Sequence, residues 1–148
     1  MTFKALTLGV SLLALAACGN TDNDLRGAKF IAPGNGANIT LAFDTDDMRF
    51  YGQVVNLYNG EYTVDGNAIK FNQGAMTMMM GPANAMATEG EYFQFLATVE
   101  RYDLTNRVLT LTAADGATMT FNQVEVLPDD TVVVSETDAV VIDTPVAE

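Results

Sequence analysis

Glu61-Tyr62-Thr63-Val64-Asp65-Gly66-Asn67-Ala68-Ile69-Lys70-Phe71 is the stretch on which the fold turns. Tyr62 and Val64 alternate with Glu61 and Thr63, Ile69 and Phe71 resume the alternation, and Asp65-Gly66-Asn67 stands between the two runs. Period-two patterning puts one side of each run in a core and the other in water, and an Asp-Gly pair supplies the positive φ of a tight turn. The reading is an antiparallel hairpin. Outward from it the same period recurs in Ile39, Leu41 and Phe43, in Leu109 and Leu111, and in Met119 and Phe121. Asn59-Gly60, Thr105-Asn106 and Asp115-Gly116 supply further turns, so the strand order is mostly sequential.

One segment breaks the period. Over residues 84–99 the residues Met86, Phe93, Leu96 and Val99 recur near helical spacing, and Thr88 with Glu91 makes a capping box that Gly90 weakens. The spacing predicts an amphipathic helix with Phe93 and Leu96 buried against the sheet. The fold class is therefore α+β: an antiparallel β-sheet curled toward a barrel, with one main helix packed against it.

Composition removes whole classes of chemistry. The 148 residues carry 7 Lys and Arg against 19 Asp and Glu, a formal net charge of -12, which a phosphate backbone would repel, so no nucleic-acid partner is expected. There is no His and only one Cys, which removes imidazole bases, His-ligated zinc and an internal disulfide. Serine occurs only at Ser11 and Ser135, near the two ends, which rules out a serine hydrolase in the domain. Paired carboxylates could hydrolyse a glycoside, but no spacing marks one pair out.

The ends of the chain speak of destination. Lys4 precedes an apolar run from Ala5 to Ala17, too short for a stable membrane span, and the run ends in Leu15-Ala16-Ala17-Cys18. This resembles the lipobox of bacterial lipoprotein precursors, which implies a signal peptide at 1–17, lipidation of Cys18 and a tether at 18–24. Several acyl chains anchor stably where one is marginal. Gly19, rather than Asp, favours the outer membrane of the bacterial cell envelope, facing the periplasm. Residues 25–127 form the domain. Residues 128–148 hold six acidic side chains and no basic one, the composition of a solvated tail, although Val132-Val133-Val134 could add an edge strand.

Gly52-Gln53-Val54-Val55-Asn56-Leu57-Tyr58-Asn59-Gly60-Glu61-Tyr62 resembles the G-x-x-C-N-x-Y-x-G-x-Y segment of the META domain, the family that includes the heat-shock protein HslJ, with Val55 in place of the Cys. Thr77-Met78-Met79-Met80-Gly81, followed by Glu89, Phe93 and Leu96, is similar to a second family segment, with Gly81 in place of its Cys. If the two family cysteines pair, the two replacements belong together. The resemblance covers roughly residues 25–124, with Phe30 standing where members often carry Trp, and it implies no catalytic residues. Structurally, Gly52 and Gly60 suit a bulge and a turn, Asn56 can bond neighbouring backbone, and Tyr58 and Tyr62 can bury a ring while keeping the hydroxyl wet.

Two clusters invite metals. Met76, Met78, Met79 and Met80 are soft ligands suited to copper(I), but Met76, Met78 and Met80 on one face of a strand would more simply fill gaps against the helix. Asp44, Asp46 and Asp47 lack EF-hand spacing and read as a solvated hairpin loop. No metal or cofactor site is assigned. The reading is a non-enzymatic envelope lipoprotein of META/HslJ type, linked through the resemblance to stress tolerance or envelope maintenance. Its partners would be the membrane, through the lipid anchor, and an envelope protein. The alternative is a membrane-tethered binding module for a protein partner or a small apolar ligand.

Overall fold

The hairpin at 61–71 lies inside two longer strands of a closed barrel. The computed structural model describes residues 24–128. Its elements are β1 (Lys29–Ala32), β2 (Ile39–Phe43), β3 (Arg49–Gln53), β4 (Leu57–Asp65), β5 (Ala68–Met76), α1 (Ala83–Leu96), β6 (Val99–Thr105), β7 (Val108–Ala113) and β8 (Thr118–Val124). Every strand pairs antiparallel with its sequence neighbours, and β1 closes the ring on β8 through Lys29↔Val124 and Ile31↔Asn122. Closure leaves the ring without an outer edge strand. Gly66 takes φ +61° at the turn between β4 and β5, and Asn106 and Arg107 take φ 52° and 65° between β6 and β7.

An eight-stranded barrel is just wide enough for side chains to fill. Here the filling is aromatic: Phe43 meets Tyr62 edge-on at 4.9 Å, and Phe50 meets Phe71 edge-on at 5.0 Å. Such pairs add about 0.5 to 1.5 kcal/mol each beyond burial. Leu41, Ile69, Leu109, Leu111 and Phe121 complete the interior. β2 is buried on both faces, and Leu127 and Pro128 line the same groove as Thr40 on its outer side.

Several local expectations change. Asn59 and Gly60 form no turn but lie within β4, where a register shift separates Tyr58 from Gly60 and a Cβ on Gly60 would collide with the Asn72 carbonyl and the Phe50 ring. The helix begins at Ala83 behind Pro82, so Thr88 and Glu91 are interior and form no capping box. Its buried residues are Ala85, Thr88, Glu89, Tyr92 and Leu96. Leu96 is buried as expected, Phe93 only half-buried, and Val99 belongs to β6. The apolar stripe is rotated because two polar residues, Thr88 and Glu89, occupy the inward face. The helix packs against the barrel at one mouth, where Thr88 Oγ1 donates to the Asn35 carbonyl at 2.8 Å.

Met76 ends β5, and residues 77–82 continue without regular structure. Met78 and Met80 are each 93% exposed. They fill no gap against the helix, because the strand that was to carry them stops before it reaches them.

Candidate functional site

The densest polar construction lies between α1 and the turn joining β3 to β4. Glu89 is 4% exposed, and its carboxylate accepts the backbone N–H groups of Val55 at 2.9 Å and Asn56 at 2.7 Å on Oε2, and the Asn56 side-chain amide at 2.7 Å on Oε1. A carboxylate out of water needs such donors, because charge-assisted bonds replace its lost hydration. The bonds span 34 and 33 residues of sequence, so they are purely tertiary.

Asn56 passes the constraint outward. Its Oδ1 accepts the Thr77 hydroxyl at 3.0 Å and the Met79 N–H at 2.5 Å, while its amide nitrogen also reaches the Met79 carbonyl at 3.4 Å. Thr77 Oγ1 accepts the Leu57 N–H at 3.0 Å, and the Thr77 N–H donates to the Leu57 carbonyl at 3.0 Å. One buried carboxylate thus orders the β3–β4 turn and the methionine segment together.

A second pair lies beneath. Tyr58 donates to the Thr40 carbonyl at 2.5 Å, and the Tyr58 and Tyr92 hydroxyls are 2.8 Å apart. Since Tyr58 spends its single proton on Thr40, Tyr92 must be the donor between them. Burial raises the Tyr58 hydroxyl well above its ordinary pKa, and the neighbouring Tyr92 raises it further. Burial raises Tyr92 as well. Both stay protonated at neutral pH, and neither hydroxyl is wet. Gly52 makes the arrangement feasible: it is no bulge, but a Cβ there would collide with the Thr40 carbonyl and lie 2.5 Å from the Tyr58 hydroxyl.

Val55 and Gly81, the positions that the resemblance sets against a pair of cysteines, are neighbours. A Cβ built at Gly81 lies 3.6 Å from the Val55 Cβ and 2.8 Å from its Cγ1. Disulfides span Cβ separations of about 3.5 to 4.5 Å. Valine fills the space beside a residue with no side chain, which is the packing counterpart of a bridge.

Outside this mouth, a shallow groove of about 360 Å³ runs past Thr40, Tyr51, Val54, Leu57, Leu127 and Pro128, and a second hollow of about 370 Å³ carries it past Tyr51 and Leu57 to Met76. Tyr51, Leu57 and Met76 are exposed along it. At the other end of β2 and β3, Asp44 Oδ1 accepts the N–H groups of Asp46 at 2.9 Å and Asp47 at 3.0 Å, which makes the aspartate cluster a hydrogen-bonded hairpin loop. Residue 25 enters the domain there: Arg26 donates to the Asp46 carbonyl at 2.7 Å, and Leu25 is buried.

Sequence reasoning had Asn56, Tyr58 and Glu89 in view as motif members but did not join them; Tyr92 was missed because Phe93 fitted the assumed helical phase. Cys18, the signal peptide, most of the tether and the Val132-Val133-Val134 segment lie outside the described residues.

The META domain family model matches residues 21–126. None of the curated proteins compared with the chain matches it. Among solved structures, an NMR structure of a protein from Burkholderia xenovorans is similar at 21% identity, covering 69% of this chain and 85% of that one with a TM-score of 0.61. A second protein solved by NMR is 18% identical, covering 67% and 91% with a TM-score of 0.53. At these identities the likeness is one of fold.

Proposed function

Because the chain belongs to the META domain family, we propose that it is a non-enzymatic domain of the bacterial envelope, held on the outer membrane by lipid at Cys18 and serving stress tolerance or envelope maintenance. The observation that carries the reading is the use made of its polar groups. The Glu89 oxygens are taken up by the amides of Val55 and Asn56, and the Tyr58 and Tyr92 hydroxyls by each other and Thr40. Groups spent on holding the α1 mouth closed are not poised for proton transfer. Entry of the chain at the 44–47 hairpin supports a domain whose α1 mouth faces away from the anchoring bilayer.

The groove beside Tyr51, Leu57 and Leu127 favours a second reading, a tethered module that binds an apolar ligand or an extended protein segment. One experiment separates the two. A strain lacking the protein is complemented, under envelope stress, by the natural chain or by Cys18→Ala. The anchored reading expects the variant to leave the membrane fraction and to lose rescue. Full rescue by the unanchored form would count against the anchored reading and leave binding by the domain, without its tether, as what the function needs. Hydrolysis of an envelope polymer by purified protein would overturn both.

A further inference from the structure

Met78 and Met80 have no packing role to explain them. Burying a methionine side chain is worth about 1.5 to 3 kcal/mol, and these two, each 93% exposed, forgo nearly all of it. Met76 and Met79 beside them are 40% and 45% exposed, so four methionines within five positions are exposed, and the Met76 sulfur accepts a weak contact from the Gln73 side-chain amide at 3.9 Å that an ion would displace. Their backbone is nonetheless held. Asn56 grips Met79 at both its N–H and its carbonyl, the Thr77 N–H is tied to Leu57, and Gly81 lies against Val55. A buried carboxylate, through Asn56, orders a segment whose side chains contribute little to the core.

From this arrangement we propose that Met78 and Met80, with Met76 as third ligand, form a binding site for a soft monovalent cation, copper(I). Thioether sulfur is a neutral, polarisable donor that selects Cu(I) over hard cations. Met78 and Met80 flank the clamped residue, so their Cα atoms are at most about 7 Å apart. Three rotatable bonds in each side chain let the two sulfurs converge on one ion. Met76 is fixed at the end of β5 by its pairing with Tyr58. The clamp removes the backbone ordering that a free loop would have to undergo on binding. The net charge of -12 favours approach of a cation. The site stands on described residues alone and does not depend on membrane anchoring. Because thioethers need not lose a proton to bind, affinity should be flat between about pH 5 and 8, unlike that of a thiol or imidazole site.

The test uses the full chain with Cys18→Ala in every sample, which removes the single thiol. Anaerobic titration with Cu(I) against a chromogenic chelator should show one ion taken up per chain, independent of pH. The double variant Met78→Leu, Met80→Leu should weaken uptake at least tenfold without moving the melting midpoint, and Met119→Leu in β8 should leave uptake unchanged. In the unsubstituted Met background, redox-inert Ag(I) should shift the methyl resonances of Met78 and Met80 before that of Met119. Failure to compete with the chelator, equal uptake by the double variant, or unshifted Met78 and Met80 methyl groups would each overturn the proposal.

Discussion

Two carboxylates at opposite ends of the barrel do the same local thing. Asp44 accepts two successive backbone N–H groups, from Asp46 and Asp47, and Glu89 accepts two successive ones, from Val55 and Asn56. The distances barely differ. What differs is range and solvent: Asp44 reaches two and three residues along its own loop in water, whereas Glu89 reaches more than thirty residues across the fold in the protein interior. A local exposed carboxylate shapes a turn that its neighbours would nearly form anyway. A distant buried one holds two separate elements against each other, and its loss strands donors that have no water to turn to.

Removal of each carboxylate is the bluntest way to break that comparison. Glu89→Ala should cost about 2 to 6 kcal/mol, because it strands the backbone N–H groups of Val55 and Asn56 at about 1 to 3 kcal/mol each, read from chemical denaturation. Glu89→Gln should fall between that and the natural chain, because its amide nitrogen must confront at least one of the three N–H donors. A loss below about 1 kcal/mol for Glu89→Ala would mean that water replaces the carboxylate and that the mouth is not held as described.

The second prediction adds a constraint to the same mouth. Val55→Cys with Gly81→Cys should oxidise to a disulfide and gain about 2 to 4 kcal/mol, lost again on reduction. The natural chain has neither cysteine, and its melt should superimpose with and without reductant. If the double variant stays reduced in air, residues 55 and 81 are not neighbours in solution.

The tyrosine pair sharpens the contrast through pH. Both hydroxyls have folded pKa values raised above the ordinary value of 10.0. Below pH 10 both states are protonated and the full stability is present. Above it the unfolded chain ionises first, so stability falls by about 1.4 kcal/mol per pH unit for each hydroxyl until the folded values are reached. Tyr92→Phe should cost about 1 kcal/mol at neutral pH and make the alkaline decline shallower. An unchanged alkaline slope would remove Tyr92 from the account.

Asp44 sits at the small end of the scale. Its carboxyl is held below 3.8, chiefly by the N–H groups of Asp47 and Asp46. Its contribution is therefore present above its unfolded pKa and is lost as pH falls through the lower folded one. Asp44→Ala should shift the denaturation midpoint only slightly, with the difference from the natural chain fading in acid.

Patterning made legible what it encodes locally. The 61–71 hairpin, the Leu109–Leu111 and Met119–Phe121 strands and the sequential order are as the alternation predicts, because each residue there reports its own side of the sheet. β6 was not legible as a strand: a register shift between Val99 and Arg101 spaces its buried residues, Val99 and Tyr102, three apart. In β3 the inward position at Gly52 has no side chain to show the period. The helix was visible but its phase was not, since the inward face includes Thr88 and Glu89, which a hydrophobic reading sends outward. Glu89, Asn56 and Met79 could each be noticed singly. Their union is a long-range fact that spacing does not express.

Native-state amide hydrogen exchange compares the two ends in one sample and tests the central claim, that the buried carboxylate of Glu89 holds the α1 mouth. In Glu89→Gln the amides of Val55, Asn56 and Met79 should lose at least tenfold of their protection, about 1.4 kcal/mol of local opening energy, while those of Asp46 and Asp47 keep theirs. Unchanged protection at Val55, Asn56 and Met79, or an equal loss at both ends, would contradict the claim.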